Sequence, residues 1–311
     1  MNKILFNGDS KIELQKIQDN SVDMLCTDPP YGYKFMGLDF DKALPDREIW
    51  KESFRVLKEG SFICVMAAPR TDVLWRICRD LEEAGFNMAF SNIEWVYASG
   101  FPKASDTSKM IDKRLGGKVK EGKGFISAGD DKRPGGLSQP TPLGEEREKM
   151  RHIPDTDLAK KYEGSKLGFQ PKPAREIIIV GMKPFKEKSY IDKVLNFEEL
   201  PENIQRTYPL IQTPKPSKKE KQIGTEKNTH PTIKPIKLMS YLITLFTREG
   251  DYVLDPFMGS GTTGLACKLL NRKFIGIDYE EDYFNIAQER LEVSRQELIN
   301  TLKIKVQGEL F

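Results

Sequence analysis

The chain is poor in the residues that most often hold metals. Its 311 residues include four cysteines and two histidines. Cys26, Cys64, Cys78 and Cys267 form no C-x-x-C pair, and His152 and His230 are far apart in the chain. This argues against a Cys/His zinc site, so no metal is expected. Cys26 and Cys64 sit in apolar runs and read as small core residues. A large charge of one sign is also missing. The formal net charge is +3, so affinity for a polyanion has to come from how charge is distributed. No stretch of 18 apolar residues exists, so no membrane span is expected. Lys3 is followed by too short an apolar run for a signal peptide. Together these absences give the expectation of a reduced, cytoplasmic protein with no membrane partner. What remains is a globular composition, 38% hydrophobic and 31% charged. The length suits one large domain or two modest ones.

The first hundred residues alternate short apolar runs with helical patterns. KILFNGD (3–9) reads as a strand and 10–18 as a short helix. VDMLCTD (22–28) is a second strand. REIWKESFRVLKEG (47–60) spaces Ile49, Trp50, Phe54 and Leu57 as a helix does, with Gly60 as its C-cap. SFICVMA (61–67) is a third strand. TDVLWRICRDLEEAG (71–85) is a helix with Thr71 or Asp72 near its start, and 86–99 is a strand region. Such alternation argues for a parallel sheet covered on both faces. The pattern resumes near the other end. Residues 235–250 form a helix with Pro235 at its first position. DYVLD (251–255) is a strand, 260–271 a helix, RKFIGID (272–278) a strand and 280–303 one long helix.

Between these halves the texture changes. Residues 101–172 are rich in Gly, Pro, Ser and Lys, with 16 Lys/Arg against 11 Asp/Glu. REIIIVG (175–181) returns as a strand. Residues 183–228 are polar again, with ten Lys/Arg against seven Asp/Glu and the basic run KPSKKEK at 215–221. The expected organisation is therefore a core half at 1–100, an insertion at 101–172, a core strand at 173–182, a second insertion at 183–228, a second core half at 229–303 and a tail at 304–311. A solvated surface with a slight basic bias is the plain reading of both insertions.

Four motifs carry chemistry. In VLDPFMGSGTTGLA (253–266) a strand ends at Asp255, a turn with Gly259 and Gly261 follows, and a helix begins. Such glycines let a ligand approach the backbone and the helix N-terminus. No Lys-Ser/Thr follows the last glycine, so this is no phosphate loop. An acid at the strand tip suits a cationic ligand group instead. Asp278, at the next strand tip and 17 residues past Gly261, is placed to accept ribose hydroxyls; a helix cap is the alternative, and the spacing favours the ribose role. The third motif is DPPY (28–31), where two prolines force the chain out of its strand. The fourth is NTHPTIKP (228–235), ahead of a core helix.

DPPY together with DPFMGSGTT resembles the paired signature of the amino-group DNA methyltransferases, which use S-adenosylmethionine. The order, catalytic motif first and cofactor motif near the C-terminus, is that of the β group of phage, prophage and restriction-modification type. The resemblance covers about residues 3–115 and 168–300. It implies an α/β, Rossmann-like fold: a seven-stranded, mostly parallel, doubly wound sheet in permuted order, with inserted target-recognition segments. It implies catalysis by Asp28, Pro29, Pro30 and Tyr31. The Asp28 carboxylate and the Pro29 carbonyl would accept hydrogen bonds from the target amine and Tyr31 would stack on a flipped base, worth about 1–3 kcal/mol. It implies cofactor contacts from Asp9, Asp28, His230, Thr232, Lys234, Asp255, Pro256, Phe257, Gly259, Ser260, Gly261, Thr262, Asp278 and Tyr279.

Duplex DNA is the partner the family implies. Lys103, Lys109, Lys113 and Arg114 in the first insertion and Lys215, Lys218 and Lys219 in the second are candidates for its phosphates. No Cys follows a Pro, so the cysteine-nucleophile route to cytosine C5 is closed and transfer must run directly to nitrogen. DPPY favours adenine N6 as the target. Cytosine N4 is the alternative, and a non-catalytic regulator or methylation of RNA or a protein amide are further ones. A homodimer and a cognate restriction endonuclease are left open by the sequence.

Overall fold

The computed structural model describes residues 2–32, 43–97, 105–118, 120–124, 149–165, 167, 174–187, 189, 191–192 and 210–303. Lys103 and the tail at 304–311 lie outside them. The chain forms two compact units, one of Met1–Tyr97 with Arg175–Phe311, the other of Ala98–Ala174.

In chain order the strands are β1 (Lys3–Asn7), β2 (Val22–Thr27), β3 (Leu57–Ala67), β4 (Ile93–Val96), β5 (Lys120–Gly124), β6 (Lys149–Ile153), β7 (Arg175–Met182), β8 (Leu210–Gln212), β9 (Tyr252–Asp255) and β10 (Lys273–Asp278). The helices are α1 (Ser10–Glu13), α2 (Arg47–Val56), α3 (Thr71–Glu83), α4 (Thr107–Leu115), α5 (Asp157–Lys161), α6 (Lys218–Lys221), α7 (Ile236–Phe246), α8 (Thr262–Leu269), α9 (Glu281–Glu292) and α10 (Arg295–Leu302). None of the helices in the described residues is long and apolar enough to cross a membrane.

The first unit is built on one sheet in the order β1-β10-β9-β2-β3-β7-β4-β8. The five strands from β1 to β3 run parallel, β7 runs against both β3 and β4, and β8 lies parallel to β4. Among the described residues the sheet thus has eight strands, where seven are expected. The extra one, β8, comes from the segment read as a second insertion. Three residues between polar stretches give too short a period-two pattern to reveal a strand.

Alternation along the central strands buries both faces of the sheet. Met24 and Cys26, with Phe62, Cys64 and Met66, face the cluster that contains Leu238, Leu242 and Leu265 of α7 and α8. Leu25, Ile63 and Val65 face the other way, onto Trp50, Val73, Ile77 and Leu81 of α2 and α3. Cys26 and Cys64 are register partners and fully buried, and burial pushes both thiols up. They are inert core residues.

Three element boundaries differ from expectation. Helix α2 stops at Val56, because Leu57 already pairs with Val22. Gly60 keeps a left-handed φ of 81° but sits in an irregularity of β3, where the register shifts between Val22 and Met24. The segment 280–303 is two helices: Ser294 caps α10, its side chain accepting from the Glu297 N–H, an S-x-x-E pattern that interrupts the apolar period. Pro235 is the cap of α7 rather than its first residue, and the Ile236 N–H donates to the Glu220 carboxylate at 2.7 Å.

The second unit has a polar centre. Asp112 of α4 is fully buried. Its carboxylate accepts from the Thr156 hydroxyl at 2.6 Å, from the backbone N–H groups of Asp155 at 2.8 Å and Thr156 at 3.0 Å, and pairs with His152 Nε2 at 2.8 Å. Burial opposes its ionisation, but these donors outweigh it and hold the Asp112 carboxyl well below the usual carboxylate range.

Candidate active site

Four neighbouring parallel strands, β1, β10, β9 and β2, end at one edge of the sheet. Their tips bring Asp9, Asp278, Asp255 and Asp28 to that edge, the C-terminal side where open α/β sheets bind ligands. These acids come from opposite ends of the chain, and only the permuted strand order makes them neighbours.

Asp255 is a structural centre of the site. Its carboxylate is buried and accepts from the Thr27 hydroxyl at 2.6 Å, the Thr263 hydroxyl at 2.5 Å and the Phe257 N–H at 3.1 Å. These bonds tie the tip of β2 to the turn after β9 and to the first turn of α8. Burial pushes its carboxyl up to about 6, against the pull of these donors.

The turn that follows takes its shape from its glycines. Gly259 has φ 51° and Gly261 φ 78°, both in the left-handed region that favours glycine. A Cβ on Gly259 would stand 2.7 Å from His230 Nε2. Burial pushes His230 down to about 3, so the ring is neutral, and it packs edge-on against Tyr283 with centroids 4.5 Å apart. The Thr232 N–H donates to His230 Nδ1 at 3.3 Å. Below the turn, buried Arg290 donates through Nη1 to the Ser260 carbonyl, to the Ser260 hydroxyl at 3.0 Å and to the Thr262 hydroxyl at 3.4 Å. Burial lowers its guanidinium to about 10. The Pro256 carbonyl accepts from the buried Ser10 hydroxyl, and Phe257 packs against Trp50 with ring centroids 6.0 Å apart.

Asp278 completes this half. It accepts from the Gly259 N–H at 2.7 Å and from the Glu280 N–H at 2.9 Å, and burial raises its carboxyl to about 6. It therefore both braces the glycine turn and begins the chain into α9, while Tyr279 beside it is 73% exposed. Asp9 caps α1, accepting from the Lys11 N–H at 2.9 Å.

The other half is a cluster of charges at the DPPY tip. Asp28 Oδ1 accepts from the Tyr31 hydroxyl at 2.6 Å, and Asp28 Oδ2 is bonded to the Lys234 ammonium. Lys234 Nζ also lies 3.3 Å from Glu176 Oε2 on β7, and the Tyr31 hydroxyl stands 3.5 Å from the same oxygen. Burial would lower the Lys234 pKa, but the two carboxylates outweigh it and hold it above the ordinary lysine value. Burial, reinforced by the neighbouring Asp28 charge, raises that of Glu176 against the pull of Lys234. Pro29 is buried and Pro30 half-buried.

The expected residues of the two motifs and of NTHPTIKP thus fall along one sheet edge of the first unit. Lys215 reaches the Tyr97 ring at 4.5 Å, while Lys218 and Lys219 lie on α6 and are exposed. Lys109, Lys113 and Arg114 lie on α4 of the second unit. Thr27, Thr263, Arg290 and Glu176 were not singled out from the sequence. For Arg290 and the threonines nothing in a periodic pattern distinguishes them. For Glu176 a signal existed: a lone acid near the start of an otherwise apolar strand.

The glycine turn, the Asp278 carboxylate bonded to it and the exposed Tyr279 ring are groups whose chemistry suits S-adenosylmethionine, and the fold has many known counterparts. The chain aligns over 94% of its length with the crystal structure of an M1.HpyAVI–SAM complex, covering 100% of that chain at TM-score 0.51 and 24% identity. It aligns over 97% of its length with the cytosine-N4-specific PvuII DNA methyltransferase, covering 92% of that chain at TM-score 0.54 and 19% identity. In sequence it is 26% identical to the DNA adenine methyltransferase YhdJ of Escherichia coli (strain K12), over 97% of this chain and 88% of that one. It is 55% identical to the type II methyltransferase M2.DpnII of Streptococcus pneumoniae over 22% of this chain, a match that spans only 25% of that relative's length. Residues 22–289 match the model of a DNA methylase family. The chain therefore belongs to the DNA methylase family of N6 and N4 amino-methyltransferases, whose methyl donor is S-adenosylmethionine.

Proposed function

We propose that this protein transfers a methyl group from S-adenosylmethionine to the exocyclic N6 amine of adenine in duplex DNA. The observation that carries the reading is the Lys234 ammonium held by Asp28. A half-buried carboxylate at the DPPY tip already holds one cationic nitrogen, and the target amine gains positive charge as it is methylated. S-adenosylmethionine supplies, when bound, a methyl group on a cationic sulfonium. Asp28 accepts a hydrogen bond from the amine and favours the charge that builds on nitrogen. A fixed acceptor does this without reorganising during the reaction. The prolines at 29 and 30 supply no N–H donors that would repel the amine. Tyr31, beside Asp28, offers a ring face to a base taken out of the stack. The turn at 259–261, Asp278 and Tyr279 hold the adenosine part, and His230, Thr232 and Lys234 the methionine part.

Cytosine N4 is the second reading, and the likeness to the cytosine-N4-specific PvuII enzyme supports it. The whole-length likeness to an enzyme named as an adenine methyltransferase favours N6. Duplex DNA would be bound through Lys109, Lys113 and Arg114 and through Lys215, Lys218 and Lys219, which contact phosphates and supply salt-dependent affinity. The relatives named type II methyltransferases support a place beside a restriction endonuclease. The test is to incubate the protein with duplex DNA and S-adenosylmethionine, digest to nucleosides and identify the product. N6-methyldeoxyadenosine is expected. N4-methyldeoxycytidine would move the assignment to the second reading, and an unmodified digest would overturn both.

A further inference from the structure

Both oxygens of Asp28 are engaged, one by the Tyr31 hydroxyl and the other by the Lys234 ammonium. Each oxygen keeps a second lone pair, but while the Lys234 ammonium is bonded to Asp28 its charge opposes the positive charge that builds on a target amine. Lys234 is almost wholly buried, and an ammonium that leaves one carboxylate inside a protein needs another at once. Glu176 is that other. Its Oε2 lies 3.3 Å from Lys234 Nζ and 3.5 Å from the Tyr31 hydroxyl. The same oxygen is therefore within reach of both donors that occupy Asp28.

From this geometry we propose that Glu176 is a positioning residue of the methyl-transfer site: it takes the Lys234 ammonium from Asp28 and so frees Asp28 to accept the target amine. The inference rests on the function proposed above, which gives Asp28 its amine. Glu176 touches neither substrate nor cofactor in this scheme and acts through Lys234. No bond is made or broken in the exchange, which is a shift of one ammonium between two carboxylates.

The scheme has a pH signature. Glu176 is faced by Lys234 from the segment before α7, Asp28 and Tyr31 from the β2 tip, Tyr97 from the end of β4 and Lys215 from the segment after β8. Burial raises its carboxyl. A protonated Glu176 no longer holds the ammonium, Lys234 returns to Asp28, and transfer slows. Activity should therefore fall as pH drops through the Glu176 pKa.

The test uses the full-length protein, duplex DNA and S-adenosylmethionine, with single-turnover rates measured between pH 5 and 9. Glu176→Gln should slow transfer on the order of 10-fold to 100-fold and flatten the acid side of the profile. Affinity for S-adenosylmethionine should stay within about threefold, and Glu176→Asp should recover part of the rate. A second measurement needs no activity. Urea unfolding of the ligand-free wild type, Glu176→Gln, Lys234→Met and the double variant should show losses that fall short of additive, since the two groups share one interaction. Wild-type transfer rate and pH profile in Glu176→Gln would overturn the proposal, as would strictly additive unfolding losses. A wild type that transfers no methyl group would overturn the function proposed above, and the unfolding cycle would still decide whether Glu176 holds Lys234.

Discussion

The tips of β9 and β2 are neighbours, and each carries a carboxylate, yet the two are used in opposite ways. Asp255 is enclosed by three uncharged donors and binds the molecule to itself. Asp28 is 20% exposed and holds a lysine ammonium and a tyrosine hydroxyl. The difference lies in what surrounds each acid. The Asp255 donors sit on a strand, on a helix start and on the backbone of the turn between β9 and α8. The Asp28 donors both have a second carboxylate nearby, Glu176 Oε2 at 3.3 Å from the ammonium and 3.5 Å from the hydroxyl. A site needs both kinds: one acid to fix the distance between motifs distant in the chain, and one left exchangeable for chemistry.

Removing the exchangeable acid should have the largest effect on activity. Asp28→Ala is expected to slow methyl transfer on the order of 10³-fold, the loss typical of one preorganised electrostatic contact, while stability falls less than when Asp255 is removed, because Glu176 remains to hold the Lys234 ammonium. Single-turnover transfer and unfolding, measured on the same preparation, check both halves. Near-wild-type transfer would remove Asp28 from the chemistry, and with it the contrast.

Removing the fixed acid should reverse that pattern. Asp255→Ala leaves two buried hydroxyls and an N–H without their acceptor, so stability is expected to fall by about 3 kcal/mol. The loss is read from urea unfolding at pH 7. A variant as stable as the wild type would show that the three bonds to Asp255 do not hold the turn.

The same contrast gives a pH dependence. Burial sets Asp255 and Asp278 at about 6 in the folded protein, against about 3.9 for an unfolded aspartate. Between these values the folded state binds more protons, so stability falls as pH rises. Their contribution is full below about pH 4 and is lost as pH passes about 6. Asp278→Asn should flatten part of that slope, by roughly 1–2 kcal/mol between pH 4 and 7. Unfolding midpoints across that range are the measurement; a slope unchanged in the variant would refute the assignment.

The comparison also shows where the sequence was informative. Asp28 and Asp255 both stand out from their motifs, because prolines and glycines after an apolar strand have few other uses. Their different roles do not, since these depend on Thr27, 228 residues away from Asp255, and on Lys234, 206 residues away from Asp28. The alternating core was legible for the same reason that its faces are buried: strand side chains alternate and helix side chains recur every three to four positions. A three-residue strand such as β8, and the Asp112–His152 pair joined across 40 residues, carry no such period. They are set by tertiary contact alone.

The smallest effect should come from one donor to the fixed acid. Thr263→Val removes the hydroxyl 2.5 Å from Asp255 and keeps nearly the same volume. At pH 7 the carboxylate is ionised and loses one of three donors, so stability should fall by about 1 kcal/mol. At pH 4.5 the acid is largely protonated and needs fewer donors, so the loss should shrink. Losing a donor also makes ionisation harder, so the Asp255 pKa should rise above its wild-type value. Urea unfolding of the variant and wild type at both pH values reads the difference. A loss equal at the two pH values would mean that Thr263 contributes by packing and that its hydroxyl is not what keeps Asp255 charged.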